Sequence, residues 1–257
     1  VLFRSSDPAN PQEVGAAGVG QMTALDANGG IVYAVGTVNN AFTLQVVDAT
    51  MPAAPNLASS TGLPTGSTLV SADPNNPHLA YVLSDSGVQI IDATDMANPE
   101  LLGEFTYGSV ETSLGYVGVE PSGIAKSGNH LYISGTVNPE ERPYFTVLDV
   151  SDPAHPERIP VPYLELDLKS MQIVGNTLHG IEGFFIVRMD ISDPANPQVI
   201  DRVFAPNQPT QLVVEGNTVY TAGQRGYFSL SYDTYTPIPE PEVRKSEIGR
   251  ASCRERV

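Results

Sequence analysis

Four histidines are the residues of this chain best suited to metal binding or to general acid–base catalysis, because imidazole titrates near neutral pH. They are His78, His130, His155 and His179. Either role needs several side chains that converge on one point, and these four lie in different segments of the chain. Serines are frequent, but no Gly-x-Ser-x-Gly motif, glycine-rich phosphate loop or dinucleotide fingerprint accompanies them. The sequence therefore predicts no catalytic residue, no metal site and no cofactor.

Aspartate recurs at one position, at the end of a short apolar run. The five residues are Asp48, Asp92, Asp149, Asp190 and Asp233. We interpret them as structural turn residues, because an Asp side chain can accept a hydrogen bond from its own backbone two residues on. Carboxylates at sharp turns also suit Ca²⁺, which takes six to eight oxygen ligands, although no Asp-x-Asp-x-Asp loop occurs. Ca²⁺ is the alternative interpretation.

A short segment that follows each of these aspartates is repeated along the chain. Ser-Asp-Pro-Ala-Asn-Pro occurs at 6–11 and 192–197, and related forms occur at 49–55, 94–99 and 151–156. A degenerate copy ends at Pro241. The final prolines of the copies lie 41 to 57 residues apart. An internal repeat of this length is typical of arrays, solenoids and propellers.

Each repeat unit contains short runs rich in Val, Ile, Thr, Tyr and Phe, separated by Gly, Asn and Pro. Such runs at regular spacing predict the strands of a meander, and in the clearest unit they are about 123–127, 130–134, 144–150 and 157–164. Four strands in about 42 residues are the signature of a propeller blade. We therefore predict an all-β chain, an open or partial β-propeller of about five four-stranded blades. The predicted blades are 16–61, 62–107, 117–164, 165–206 and 207–246.

The apolar run closed by Asp and followed by Ser-Asp-Pro-Ala-Asn-Pro resembles the LVIVD repeat, a propeller-type repeat of bacterial and archaeal proteins. The resemblance covers residues 6–246 and is strongest in the units that end at Pro99, Pro156 and Pro197. It implies a propeller fold and an extracytoplasmic location, whether secreted, periplasmic or on the cell surface. It implies no activity, because the motif concerns packing and turns and brings no catalytic residues with it.

Residues 1–5 and 247–257 differ from the rest of the chain. The last eight residues contain Arg250, Arg254, Arg256 and the only cysteine, Cys253. Both strings resemble translated sequencing-adaptor DNA, so we exclude them from the domain. The remainder then has no cysteine for a disulfide or a thiol nucleophile. A basic C-terminal tail that binds a partner is the alternative interpretation.

Charge and hydropathy exclude several partners. The formal net charge is −16, which repels phosphate and argues against nucleic acid. No apolar run approaches the 18 or so residues that a membrane-spanning helix needs, so no membrane insertion is expected in this segment.

Residues 6–15 supply one more strand than five complete units require. A five-bladed ring has no place for it, and we therefore expect an open arc of a larger ring of six to eight blades. Each cut face would leave apolar surface in water, and burial is worth ~25 cal/mol per Å². The isolated segment is accordingly expected to be poorly soluble or oligomeric.

The third unit departs most from the others, through two longer loops at 107–121 and 137–143. In a repeat protein such insertions lie on one face and often carry recognition, although loop length also drifts at little cost. The candidate binding residues of these loops are Tyr107, Glu111, Tyr116, Glu120, Glu140, Glu141 and Arg142.

Three classes of function remain open. The preferred one is a non-enzymatic secreted or cell-surface interaction module that binds a protein or a glycan. The second is a propeller enzyme of the hydrolase or lyase type, with a channel site incomplete in this segment. The third is a structural spacer.

Overall fold

Antiparallel β-strands form the whole regular structure of the described chain. The computed structural model describes residues 2–4, 12–107, 110–112, 115–137 and 142–232. Within these ranges there is no α-helix, and hence no helix long and apolar enough to cross a membrane. The predicted all-β class is confirmed.

The first two strands, β1 (Leu2–Arg4) and β2 (Gln12–Gly15), pair with each other. Most of the other strands form five successive sheets, or blades, each a simple meander in chain order. Blade 1 is β3 (Gln21–Asn28), β4 (Ile31–Val38), β5 (Ala41–Asp48) and β6 (Asn56–Gly62). Blade 2 is β7 (Leu69–Ala72), β8 (Leu79–Leu83), β9 (Gly87–Asp92) and β10 (Glu100–Thr106).

A short hairpin of β11 (Val110–Thr112) and β12 (Gly115–Val117) separates blades 2 and 3. Blade 3 is β13 (Val119–Ser127), β14 (His130–Val137), β15 (Arg142–Asp149) and β16 (Glu157–Ile159). Blade 4 is β17 (Lys169–Val174), β18 (Thr177–Glu182), β19 (Phe185–Asp190) and β20 (Gln198–Phe204). Blade 5 contributes β21 (Pro209–Glu215), β22 (Thr218–Gly223) and β23 (Gly226–Ser231), and its predicted fourth strand lies outside the described residues.

In blade 3 three predicted strands are longer than expected, and the fourth is shorter. The sequence predicts a strand over 157–164, but β16 ends at Ile159. Pro160 and Pro162 follow directly. A proline has no N–H to donate to the neighbouring strand, so pairing with β15 stops there. The following segment instead buries Leu166 and Leu168 against blade 4.

The hydrophobic core lies between blades rather than within them. A cluster of buried apolar side chains joins each of the pairs 1–2, 2–3, 3–4 and 4–5. The second strand of each blade alternates between the two clusters: Leu131 and Ile133 face blade 2, while Tyr132 faces blade 4. This alternation follows from the two-residue period of a strand. It explains why these strands are apolar on both faces.

Blade 5 has the same alternation, but one of its faces is exposed. Val219 lies in the cluster shared with blade 4, whereas Tyr220 on the other face is 47% exposed and Val213 is 59% exposed. No corresponding cluster between blades 5 and 1 is found among the described residues.

The strand β2 takes the position of an outer strand of a preceding blade. In blade 2, Gly103 of β10 packs so closely on blade 3 that a Cβ would lie 2.2 Å from the carbonyl oxygen of Pro153. Gly15 of β2 has the same relation to blade 1, because its Cβ would lie 2.2 Å from the carbonyl oxygen of Pro52. The predicted extra N-terminal strand is therefore confirmed.

Candidate functional site

The first strands of all five blades surround a central cavity of about 1050 Å³. Its ionisable lining residues include Asp26, Lys126 and Lys169. The first strands of the blades line the cavity with equivalent positions, because each first strand pairs with the second strand of its blade in a similar register. In a propeller, side chains from several blades converge on the central channel, so a catalytic or binding site is expected there. Whether these side chains can do chemistry depends on which of them are already hydrogen-bonded or ion-paired within the protein.

Lys126 belongs to a buried network between blades 2 and 3. Its Nζ lies 2.9 Å from Oδ2 of Asp73, and both side chains are at most 6% exposed. The hydroxyl of Tyr81 donates to the same oxygen at 2.7 Å. Burial alone would raise the pKa of Asp73, but the hydrogen bonds from Lys126 and Tyr81 outweigh it and hold the pKa below its usual value. This pair is fully engaged in joining two blades.

Other polar side chains of the inner strands also bridge neighbouring blades. Oδ2 of Asp26 accepts the Ala72 N–H at 2.9 Å. At the equivalent position of blade 4, Oε1 of Gln172 accepts the Val214 N–H at 2.7 Å. Among the described residues no three His, Cys, Asp or Glu side chains are grouped to hold a metal ion. The channel lining thus holds the blades together.

Each blade has two ends, which are defined here by the residues that pair there. In blade 3 one end carries Val119, Val137 and Arg142, which pair across the sheet. We call this end of the propeller the loop face. The opposite end carries Ser127, His130 and Asp149.

A second cavity, of about 500 Å³, opens at the loop face beside blades 3 and 4. Glu120, Asp167 and Lys169 line it, and the hydroxyl of Ser122 donates to Oδ1 of Asp167. It therefore offers carboxylates, an ammonium group and a hydroxyl within one hollow. Glu120 is the one predicted binding residue among its lining residues.

The described ends of the two long loops of the third unit lie at the loop face. Glu120 is exposed and pairs with Thr136, while Arg142 is exposed and pairs with Val137. Glu111 pairs with Tyr116 in the β11–β12 hairpin. Glu140 and Glu141 lie outside the described residues. Within the described part, the fold brings the roots of both loops to one end of blade 3.

Tyr107 plays a different part from the exposed residues of its loop. It is 5% exposed and belongs to the cluster between blades 2 and 3. Its ring packs edge-on against Tyr144, with centroids 5.5 Å apart, and its carbonyl oxygen accepts a hydrogen bond from Arg158 at 3.0 Å. Burial raises the pKa of its hydroxyl. Tyr107 thus anchors the loop to the scaffold.

The recurrent aspartates share one local geometry. Oδ1 of Asp149 accepts the N–H of Ser151 at 2.8 Å, and the same bond two residues on is made by Asp48, Asp92 and Asp190. These hydrogen bonds lower the pKa of Asp149 and that of Asp190. The pKa of Asp48 is lowered first by the hydroxyl of Thr50, which donates to Oδ1 at 2.6 Å, and then by the Thr50 N–H. Asp233 lies outside the described residues. The carboxylates at the described positions therefore form turns.

His179 fills a slot that tyrosine occupies in the other blades. Tyr33, Tyr81 and Tyr132 are buried at the equivalent position, and His179 is 5% exposed. Its Nδ1 has no hydrogen-bond partner among the described residues. Desolvation, followed by the charge of Arg188, lowers its pKa to about 4. At neutral pH His179 is an uncharged packing residue.

One surface feature is not predicted by any sequence motif. Phe184, Phe185 and Phe204 are 44%, 39% and 58% exposed, and Phe204 contacts both of the others. They lie at the loop-face end of blade 4, at the β18–β19 turn and the end of β20. A comparison of the turns could have found them, because the equivalent turn of blade 1 holds Asn39 and Asn40.

Comparison with known proteins agrees with this architecture. The model of the LVIVD repeat matches residues 121–159, which lie in blade 3. No curated protein matches the sequence. A functionally unknown protein from Desulfotomaculum acetoxidans DSM 771 has a similar structure, with a TM-score of 0.66 and 13% identity over 87% of this chain and 71% of that one.

A protein from Lactobacillus plantarum is also similar, with a TM-score of 0.51 and 8% identity over 88% of this chain and 85% of that one. At these identities the likeness concerns the fold alone. The match in blade 3 and the arrangement of the sheets confirm the predicted LVIVD repeat and the predicted β-propeller of about five blades. The larger ring of six to eight blades stays a prediction. The chain is a five-bladed β-propeller that carries an LVIVD repeat in its third blade.

Proposed function

We propose that the chain is a non-enzymatic binding module whose loop face receives a protein or a glycan ligand. The observation that carries the proposal is the coincidence of two features at that face. The long loops of the third unit end there, at Glu120 and Arg142, and the cavity lined by Asp167 and Lys169 opens at the same face. Loops held by a rigid scaffold are where binding residues concentrate.

The scaffold beneath this face is well suited to such a role. Tyr107 and Arg158 fix the root of the first long loop against blade 3. Polar residues of the inner strands are engaged in bonds between blades, as Lys126 is with Asp73. A binding surface on firmly packed strands loses little entropy when it is occupied. These features favour recognition over catalysis.

The test is binding of the full chain to printed arrays of glycans and of purified extracellular proteins. We expect a defined ligand class whose affinity falls at least 10-fold, or about 1.4 kcal/mol, when Glu120→Lys and Arg142→Glu are combined. The matched control is Glu157→Lys, an exposed glutamate at the opposite end of the same blade. Equal loss in the control, or turnover of a bound glycan or peptide, would contradict the proposal.

We further propose an extracytoplasmic location for this module. The resemblance to the LVIVD repeat supports it. The test is protease treatment of intact cells of the source organism, followed by immunodetection of the chain. Degradation without lysis, or recovery in the medium or periplasm, is expected. Protection until lysis would overturn the location while leaving the binding role standing.

A further inference from the structure

The three phenylalanines at the end of blade 4 form an exposed aromatic patch, which we define as Phe184, Phe185 and Phe204. The rings of Phe184 and Phe204 are nearly parallel, with an interplanar angle of 26° and centroids 6.3 Å apart. Phe185 meets Phe204 at 69° with centroids 6.0 Å apart. Contiguous exposed apolar surface of this kind marks an interaction site more often than single exposed residues do.

The patch stands on paired strands. Phe185 is directly opposite Phe204 across β19 and β20, and Glu182 of β18 is opposite Phe185. The carbonyl oxygen of Phe184 accepts the N–H of Ala205 at 2.7 Å. Directly opposite residues project from the same side of a sheet. The backbone that carries the three rings is thus held in place before any ligand arrives.

A charged pair borders the aromatic rings. Nε of Arg202 lies 2.9 Å from Oε2 of Glu182, and the two side chains are 39% and 28% exposed. Arg202 projects from the same side of β20 as Phe204, two residues away. A guanidinium has five N–H donors and a carboxylate has several lone pairs, so both retain hydrogen-bonding capacity toward solvent. Directional polar groups therefore surround an apolar surface.

We propose that this patch stacks a neutral sugar ring of a glycan, with Arg202 and Glu182 bonding its hydroxyls; the inference rests on the binding role proposed above. A pyranose presents C–H groups on its face and hydroxyls around its edge. The aromatic face carries the negative part of the ring quadrupole and attracts such C–H groups. The patch and its charged border match both parts of a sugar.

Other occupants fit less well. A stable protein interface needs about 800 Å² from each partner, and three half-exposed side chains fall far short of that. An acidic glycan or peptide is disfavoured by the net charge of −16. A neutral sugar needs only one or two exposed rings and a few hydrogen bonds.

The test is retention of the full chain on insoluble cellulose, chitin and xylan and in native gels that contain soluble starch or mixed-linkage glucan. We expect retention by at least one of these polysaccharides. Phe204→Ala and Phe184→Ala should each weaken it at least 10-fold, while Phe204→Trp, which keeps an aromatic face, should preserve it. Tyr227→Ala is the matched control, because Tyr227 is 90% exposed on another blade. Circular dichroism establishes that each variant is folded.

The outcomes separate this inference from the proposed function. Retention that survives both phenylalanine substitutions but is lost with Glu120→Lys and Arg142→Glu would overturn the aromatic site and leave the loop-face role standing. No retention on any polysaccharide, or phenylalanine-dependent binding of an array protein instead, would also overturn it. Loss in the phenylalanine variants with Tyr227→Ala unaffected supports it.

Discussion

Tyr220 of blade 5 occupies the slot that Tyr132 occupies in blade 3, yet Tyr220 is 47% exposed and Tyr132 is 1% exposed. We expect Tyr132→Ala to lower the free energy of unfolding by about 3–5 kcal/mol, as large aromatic truncations in a core do. Tyr220→Ala should cost less than about 1 kcal/mol. Urea unfolding followed by circular dichroism measures both. Equal losses would mean that another surface covers Tyr220 in solution.

The pair of Lys126 and Asp73 is predicted to contribute to stability only as a pair. Lys126→Met leaves the Asp73 carboxylate buried without its cation, and removal of one partner of a buried ion pair costs about 3–5 kcal/mol. Addition of Asp73→Asn should recover much of that loss. A double-mutant cycle in urea measures the coupling, and strictly additive losses would show that the two side chains do not depend on each other.

Much of the fold is predictable from the sequence, because each repeat contains turn residues that mark where its strands end. The Asp149 turn, for example, follows from an apolar run and a Ser-Asp-Pro segment, and a blade of four strands follows from the spacing. Shared core clusters are also predictable in principle, since Leu131 and Tyr132 are adjacent large apolar residues on one strand. Local chemistry and period suffice for these features.

The candidate site was less predictable. The residue type of Tyr107 and its place in a long loop predict a binding role, but its ring is buried because it packs against Tyr144. The Phe184–Phe204 contact joins residues 20 positions apart, one in the β18–β19 turn and one at the end of β20, and no motif encodes it. The channel residues Asp26 and Gln172 have different identities in equivalent positions, so their shared bridging role becomes visible only in the folded propeller.

His179 predicts a pH dependence of stability. Its folded pKa of about 4 lies below the unfolded value of about 6.5, so the unfolded chain binds the additional proton between these values. Its contribution to stability is therefore complete above pH 6.5 and declines as the pH falls toward 4, by less than about 1.4 kcal/mol per pH unit. Urea unfolding at pH 7.5 and 5.0 measures this decline.

Substitution should isolate the contribution of His179. His179→Tyr places the residue of the sister blades in the slot, and we expect it to reduce the decline between the two pH values. The control is His155→Asn, because Asn98 and Asn196 occupy the equivalent turn positions of blades 2 and 4 and the His155 side chain is 80% exposed. The same decline in wild type and His179→Tyr would contradict the prediction.

Gly15 and Gly103 make a further prediction about the N-terminal strand. A methyl group on either would lie 2.2 Å from a carbonyl oxygen, so Gly15→Ala and Gly103→Ala should each cost about 1–3 kcal/mol through overpacking. Gly62→Ala is the control, since nothing lies within 4 Å of its Cβ position. Thermal unfolding compares the three. An unchanged Gly15 variant would argue that β2 does not pack on blade 1.

The placement of apolar clusters between blades has a consequence for how such a protein gains or loses repeat units in evolution. Each described cluster is made by one face of a blade and the facing side of the next blade in the chain. Any two blades that follow the same apolar pattern can therefore pack against each other. Duplication or loss of a whole unit then preserves every junction but the one it alters, and cooperativity weakens with distance along the array. The rate of amide hydrogen exchange should accordingly be lowest in β14 of the central blade and should increase toward β22 of the last blade.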